Sequence, residues 1–372
     1  MSQTTRRRFL QGGAAAVTGA SALAAPAIVR AQDATVIKMQ SSWPAGNIFQ
    51  EFAQQYADRV NAMSGGSLQI DLLPAGAVVQ AFQIQDAVAD GVLDAGHHVT
   101  AYWYGKSRSA SLFGTGPVFG VDGAQMLAWI HFGGGKELYN ELVRDVLGLN
   151  IVGFFALPMP TQPLGWFNEQ ITDISQMQGL KYRTVGLAAD VMQNIGASVA
   201  QLPGGEIVPA MERGVIDAFE FNNPTADYQF GAQDVAKHYM MGSYHQACEA
   251  FEIMFNGDLF NDLTDQQRAI LEYAAEATST ANYGLAMHRY SQDLVRLRDE
   301  MGVNVHRTPT SVMQAQLEAW DNVVEQYGGD EMFARIVESQ RAWGERVGYY
   351  NLLNQADYKL AYDHYFPGRL GF

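Results

Sequence analysis

Two charged residues stand among apolar neighbours in segments that read as strands, and both are candidates for chemistry. Arg183 lies in Gly179–Gly186 (GLKYRTVG), a stretch that reads as a strand. Glu220 and Phe221 close Gly214–Phe221 (GVIDAFEF), which reads as a second strand. In an open α/β sheet the carboxyl ends of strands face the ligand crevice, so Glu220 is placed where a ligand would be. Gln162 opens Gln162–Phe167 (QPLGWF), where a buried strand bends. Two readings stay open at this level: a ligand site, or a structural role, either as a surface strand residue or in an internal Arg183–Glu220 salt bridge, since charged pairs are commonly structural.

Catalytic motifs are poorly represented. Gly105-Lys106-Ser107 resembles the end of a P-loop, but Thr100 stands where the first glycine is required. Gly114–Gly120 (GTGPVFG) is one residue off the dinucleotide pattern and carries Pro117 where a helix should open. There is no G-x-S-x-G and no H-E-x-x-H. His97 and His98 are adjacent in a strand, so they point to opposite faces and cannot chelate one ion. His245 and Glu249 have helical ligand spacing but lie near a strand, which favours a structural reading.

These residues need elements to hold them. The chain has 372 residues, which at roughly 100–200 residues per domain suggests two domains or one large one. It carries 24 Lys and Arg against 39 Asp and Glu, a net charge of -15, which is a poor match for nucleic acid or anionic lipid. The one cysteine, Cys248, excludes an internal disulfide. At the N-terminus, Arg6-Arg7-Arg8-Phe9-Leu10 precedes an Ala/Gly-rich apolar run and Val29-Arg30-Ala31. That is the layout of an export signal with paired arginines, of the twin-arginine type, covering residues 1–31. Removal of those residues takes four Arg and no acid, leaving 20 basic against 39 acidic residues and a net charge of -19. The expected location is the bacterial periplasm. A twin-arginine signal also keeps an exported, cofactor-containing enzyme acting on a small carboxylic acid as a rival reading.

The periodicity predicts strands at Thr35–Met39, Leu68–Leu72 and Leu93–Val99, with helices from Asn47 to about Met63 and from Val79 to about Asp90 between them. This βαβαβ rhythm implies a mostly parallel sheet covered by helices. It continues with strands at Ile151–Leu157, Leu164–Phe167, Leu180–Val185, Ile216–Phe221, Glu252–Phe255 and Val303–His306. Thr264 and Gln267 form a capping box at the start of one very long helix that reaches about Met301. Helices follow at about 310–326 and 329–364. In the last, Trp343, Val347, Tyr350, Asn354, Tyr358, Tyr362 and Tyr365 step by three or four, a stripe that must be buried on its own domain or on a partner subunit.

Taken in order, several segments resemble the solute-binding proteins of TRAP transporters, the DctP-type receptors. They are Ser41-Ser42-Trp43-Pro44, Leu73-Pro74-Ala75-Gly76, Tyr102–Lys106, Gly133-Gly134-Gly135, Gln162–Phe167, Gly179–Gly186, Glu212–Ala218 and Met254-Phe255-Asn256. The chain is most similar to the branch that binds 2-oxo acids and lactate with a metal ion. The resemblance implies an α/β, periplasmic binding protein-like fold: two α/β lobes around a cleft, a long connecting helix and an extra C-terminal helix. Lobe I would comprise 34–158 plus 247–290, lobe II 159–246 plus 291–340, and the C-terminal dimerisation helix 341–366.

By the same resemblance Arg183 grips the ligand carboxylate, which suits a planar guanidinium able to make two parallel charge-assisted bonds. Gln162, Glu220, the Phe221 carbonyl and Gln246 would surround a cation, sodium or calcium, and no organic cofactor is expected. Gln246 stands where relatives commonly have Glu; a less negative cage weighs against calcium more than against sodium. Tyr102 would hydrogen-bond the ligand from the opposite lobe, with Trp43 nearby. The implied partners are a small organic acid anion of the pyruvate, 2-oxobutyrate or lactate type, the TRAP permease membrane subunits, and a second copy of the chain. Binding without catalysis is expected.

Overall fold

The structure is a computed structural model describing residues 34–371. The export signal expected over 1–31 lies outside the described residues. Among the described residues, eleven strands form two sheets. The first contains β1 (Thr35–Ser41), β2 (Leu68–Leu73), β3 (Ala95–His98), β4 (Ile151–Met159) and β10 (Glu249–Asn256), in the order β2-β1-β3-β10-β4. The second contains β5 (Gly165–Phe167), β6 (Lys181–Arg183), β7 (Ser198–Ala200), β8 (Ala218–Phe219), β9 (His238–Met241) and β11 (Asn304–Arg307), in the order β11-β9-β5-β8-β6-β7.

The expected parallel arrangement holds for β1 with β2 and β3, for β6 with β7 and β8, and for β9 with β11. Each sheet is also crossed by one antiparallel strand. β10 runs against β3 and β4, and β5 runs against β8 and β9. The cause is connectivity. The chain leaves the first sheet at the end of β4 and enters the second as β5, then returns from β9 to β10. A strand arriving from the other sheet comes in from the cleft side and so runs opposite to its neighbours. The two straps meet where the Gln162 N–H donates to the Gln246 carbonyl at 3.2 Å.

Local chemistry shapes the strap ends. In β4, Leu157 has φ 50° and falls where the β4–β10 register shifts. This bulge lets β4 carry Pro158, which has no N–H to give to a ladder. The Leu157 N–H donates instead to the Ser279 hydroxyl at 2.8 Å. Gly165 begins β5 at φ 125°, and a Cβ there would stand 2.1 Å from the Phe219 carbonyl oxygen. Only glycine lets the strap come down onto β8 so closely.

The helices keep the predicted caps. Asn47 accepts from the Phe49 N–H at 3.0 Å and opens the helix Ile48–Met63. Thr264 and Gln267 exchange bonds at the start of Asp265–Asp299, a 35-residue helix. That helix packs Leu271, Ala274 and Ala275 into the core of the first sheet and Ala286, Tyr290 and Leu297 into the core that serves the second. Among the described residues no helix is long and apolar enough to cross a membrane.

Two expectations are corrected. The helix from Val79 to Asp90 is a 3-10 turn at Ala81–Gln83 followed by Ile84–Ala89. The terminal helix is not continuous. Glu331–Asn354 ends at Gln355, whose ψ is 128°, and Asp357 caps a new helix, Tyr358–Tyr365, by accepting from the Leu360 N–H at 2.9 Å. Trp343 is held on the molecule, its indole donating to the Gln125 carbonyl at 3.0 Å. Beyond it Tyr350, Leu353, Tyr358 and Tyr365 are each at least 66% exposed, so the apolar stripe is left uncovered by the described residues.

Cys248 is buried beside the strap, its thiol donating to the Val121 carbonyl at 3.2 Å, and burial pushes its pKa up to about 12. The thiolate is the reactive form. The native protein should therefore resist iodoacetamide at pH 8 and label fully in denaturant, as mass spectrometry would show; rapid native labelling would contradict this packing.

Candidate functional site

Between the two sheets lies a small cavity of about 20 Å³, lined by Trp43, Phe49, Val99, Tyr102, Met159, Gln162, Arg183, Val185, Phe221, Asn222, Gln246 and Glu249. Six of the seven residues singled out from the sequence are on this wall. The seventh, Glu220, is fully buried behind Arg183. A larger open groove of about 650 Å³ lies at the edge of the second sheet, near His306 and Arg369, and shares none of these residues.

Arg183, the last residue of β6, is 1% exposed. Its Nε donates to the Leu202 carbonyl at 2.8 Å, and Nη1 donates to the Glu220 carbonyl at 2.6 Å and to Glu220 Oε1 at 3.0 Å. Nη2 has no partner among the described residues. Both readings made from the sequence are thus present together: Arg183 is salt-bridged to Glu220, and its remaining end belongs to the cavity. With Nε and Nη1 engaged, the two-bond fork is not wholly available, and Nη2 is the open donor.

The straps bring the oxygens. Gln162 donates through Nε2 to Glu249 Oε2 at 2.6 Å, and Gln246 donates through Nε2 to Thr115 Oγ1 at 3.2 Å. These bonds turn both amide oxygens away from their donors. Gln162 Oε1, Gln246 Oε1, Glu249 Oε1 and Glu220 Oε2 are all buried without a hydrogen-bond partner among the described residues. Leaving a buried polar atom unpaired costs about 1–3 kcal/mol, so four such oxygens in one region mark a place built for a donor or a cation.

Glu249 was missed at the level of sequence. It opens β10, which is buried from end to end and starts three residues before the expected Glu252, and its visible signal was the four-residue spacing from His245, which was given a structural reading. Its presence changes the charge count, because the carboxylate that Gln246 does not provide is supplied three residues later. Burial, reinforced by Glu220, raises Glu249 to about 8 against the pull of Arg183. Burial likewise raises Glu220 to about 7, with Arg183 opposing.

The other lobe supplies shape. Trp43 follows β1, its indole donating to His97 Nδ1 at 2.9 Å, and its ring meets Phe49, Tyr102 and Phe251. Burial lowers His97 to about 3, which keeps it a neutral acceptor. His98 turns the other way, to Glu252 at 2.6 Å, as expected of adjacent strand residues. Tyr102 sits on the 3-10 turn Thr100–Trp103, and burial raises its phenol to about 12 despite Arg183, so it faces the cavity as a neutral hydroxyl. Phe221 lies 5.8 Å from the Arg183 guanidinium and 5.6 Å from Phe49 across the cleft. Behind it, buried Asp227 accepts from Trp166 at 2.8 Å, Tyr239 at 2.9 Å and the Asn222 N–H at 3.3 Å, fixing the turn that carries Phe221 and Asn222.

Two sheets joined by straps, with a charged and apolar cavity between them, define a two-lobed ligand-binding receptor. The chain belongs to the DctP family, bacterial extracellular solute-binding protein family 7, the solute-binding proteins of TRAP transporters, whose family profile matches residues 39–330. It is 30% identical over 328 residues, 87% of each chain, to a monocarboxylate 2-oxoacid-binding periplasmic protein of Nostoc sp.. A TRAP transporter solute-binding protein from Bordetella bronchiseptica, a dimer with calcium and picolinate in one site, superimposes with a TM-score of 0.83 at 26% identity, covering 91% of this chain and 99% of that one. One from Pseudoalteromonas atlantica, with sodium and pyruvate bound, gives 0.81 at 28% identity, covering 90% and 99%.

Proposed function

We propose that this chain is the periplasmic substrate-binding subunit of a TRAP transporter that captures a small 2-oxo or 2-hydroxy monocarboxylate together with a cation and hands it to the membrane permease. The observation that carries this reading is the pairing of unsatisfied groups at one cavity: the Arg183 Nη2 donor faces an anion's requirement, and the buried oxygens of Gln162, Gln246 and Glu249 on its wall, with that of Glu220 behind Arg183, face a cation's. The ligands held by the Bordetella and Pseudoalteromonas proteins, and the name of the Nostoc relative, support the same class.

In this reading Arg183 and Tyr102 hold the carboxylate, and Trp43, Phe49, Phe221 and Val185 exclude water. The four oxygens, with the Phe221 carbonyl, would hold sodium or calcium. The bound cation would neutralise protein and ligand carboxylates in one dry place. Oxygen-only donors suit either ion, and a second carboxylate favours calcium. The lobes would be those expected, 34–158 plus 247–290 and 159–246 plus 291–340, closing by a hinge at the straps. Export by the twin-arginine route and a homodimer through residues 341–366 complete the proposal; the uncovered apolar residues after Trp343 support the latter.

Binding without turnover is part of the reading. A thermal-shift screen of pyruvate, 2-oxobutyrate, lactate and C4-dicarboxylates, each with sodium, calcium or chelator, tests it. A monocarboxylate should raise Tm in a cation-dependent manner and be recovered unchanged. Consumption of the ligand, or a response to dicarboxylates alone, would overturn it.

A further inference from the structure

Outside the cavity, the two lobes meet at a second polar cluster. Tyr104 follows the turn Thr100–Trp103 and belongs with the first sheet; Asp190 lies in the first turn of the helix Ala188–Asn194 and belongs with the second. The Tyr104 hydroxyl donates to Asp190 Oδ1 at 3.0 Å. Tyr327, at the end of the helix Thr310–Tyr327, donates to the same oxygen at 2.9 Å. That helix packs on Ala188–Asn194, so the Tyr327 bond lies within one lobe and the Tyr104 bond crosses the cleft. Arg108, from the Tyr104 side, places its guanidinium 4.9 Å from the centre of each tyrosine ring. Asp190 is 5% exposed in this arrangement.

We propose that Asp190, Tyr104 and Arg108 form a latch that holds the lobes shut and sets how long a ligand stays, independently of which carboxylate is bound. The inference rests on the lobe-closing receptor reading above. Its link to the cavity is a single strip of contact. Tyr102 on the cavity wall and Tyr104 in the latch share one turn. Val185 on the wall precedes Gly186, and Asp190 in the latch follows it by four residues. At Gly186, φ is 64° and a Cβ would stand 2.9 Å from the Ala101 Cβ, so the two strips touch backbone to backbone there. Parting the lobes at the ligand therefore separates Tyr104 from Asp190 and Arg108 from the Tyr327 ring, while Asp190 keeps Tyr327. None of Tyr104, Arg108 and Asp190 lines the cavity, so the latch shifts the open–closed balance without changing ligand rank.

The test compares Tyr104→Phe with Tyr327→Phe. Stopped-flow dissociation of pyruvate with calcium should quicken about 5- to 30-fold in Tyr104→Phe, with association no slower, as expected for one lost hydrogen bond to a carboxyl group. Tyr327→Phe keeps the ring under Arg108 and loses only the hydroxyl's contacts with Asp190, Arg108 and Tyr104, so it should quicken dissociation less than Tyr104→Phe does. In ligand-free protein, spin labels on Asp58→Cys and Glu212→Cys, both exposed positions, should report a larger open fraction for Tyr104→Phe than for Tyr327→Phe or the parent. Cys248, being buried, leaves the introduced labels unambiguous. Equal lobe distances and equal dissociation in Tyr104→Phe and parent, or an effect of Tyr327→Phe as large as that of Tyr104→Phe, would overturn the latch. A parent that binds no carboxylate would instead overturn the receptor reading, while the ligand-free distances would still judge the latch.

Discussion

Arg183→Ala should abolish tight carboxylate binding, weakening it by about 2–5 kcal/mol, or about 30-fold to several thousand-fold. The loss has two parts. The Nη2 donor that the cavity offers to an anion disappears, and Glu220, buried and paired to Nη1 at 3.0 Å, is left with its like-charged neighbour Glu249 and no cation of its own. The second part also destabilises the fold, because an uncompensated buried charge is costly. Arg183→Lys separates the two. It keeps a positive charge beside Glu220 but lacks the planar reach to Leu202 and the ligand together. Calorimetry should find Arg183→Lys folded and intermediate in affinity. A folded Arg183→Ala protein that binds as tightly as the parent would dismiss the assignment of the anion end.

Glu249→Gln should convert a calcium-preferring site into a sodium-preferring one. With Arg183, Glu220, Glu249 and a monocarboxylate in place, the enclosed charge is two negative, which a divalent ion cancels and a monovalent ion does not. Removing one carboxylate leaves a single negative charge, the match for sodium. Calcium-supported binding should fall about 100-fold, on the order of one buried, desolvated charge contact. The parent should also bind calcium more tightly as pH rises. Glu220 and Glu249 titrate near 7 and 8 in the closed cavity, above the ordinary carboxyl value of 4.5, so at low pH both hold protons that the cation must displace. Each proton released contributes about tenfold in affinity per pH unit, with the slope steepest below 7 and vanishing above 8. Calcium titrations from pH 5.5 to 8.5 check this. A pH-independent affinity in the parent, or an unaltered ion preference in Glu249→Gln, would show that Glu249 is not part of the cage.

Much of this architecture was legible in the chain, and the reasons are local. Asn47, Thr264 and Gln267 announce helix starts because capping is a contact over two or three residues. Arg183 stands out because a guanidinium in an apolar strand needs a buried reason to be there. Glu249 was passed over because its visible relation, four residues from His245, belongs to helices, while its real neighbour is Gln162, 87 positions away across two straps. The antiparallel course of β5 and β10 was hidden for the same reason, since a strand's direction depends on which sheet it came from. The break at 355–357 was masked by tyrosines that keep their spacing through it, and Asp357 was the one residue that signalled a new cap.

The position of β10 has a consequence for how the protein is made. β10 is the strand that joins β3 to β4, so the first sheet remains two fragments until residue 256 has been synthesised. Its partner residues lie about 90 to 160 positions earlier, and the second sheet is completed only when β11 adds to β9, which already pairs with β5. Such long-range pairing slows folding and exposes strand edges on the way. A ribosome-bound chain ending before β10 should therefore lack a finished sheet, and the native state should form as one late, cooperative event after nearly the whole polypeptide is available.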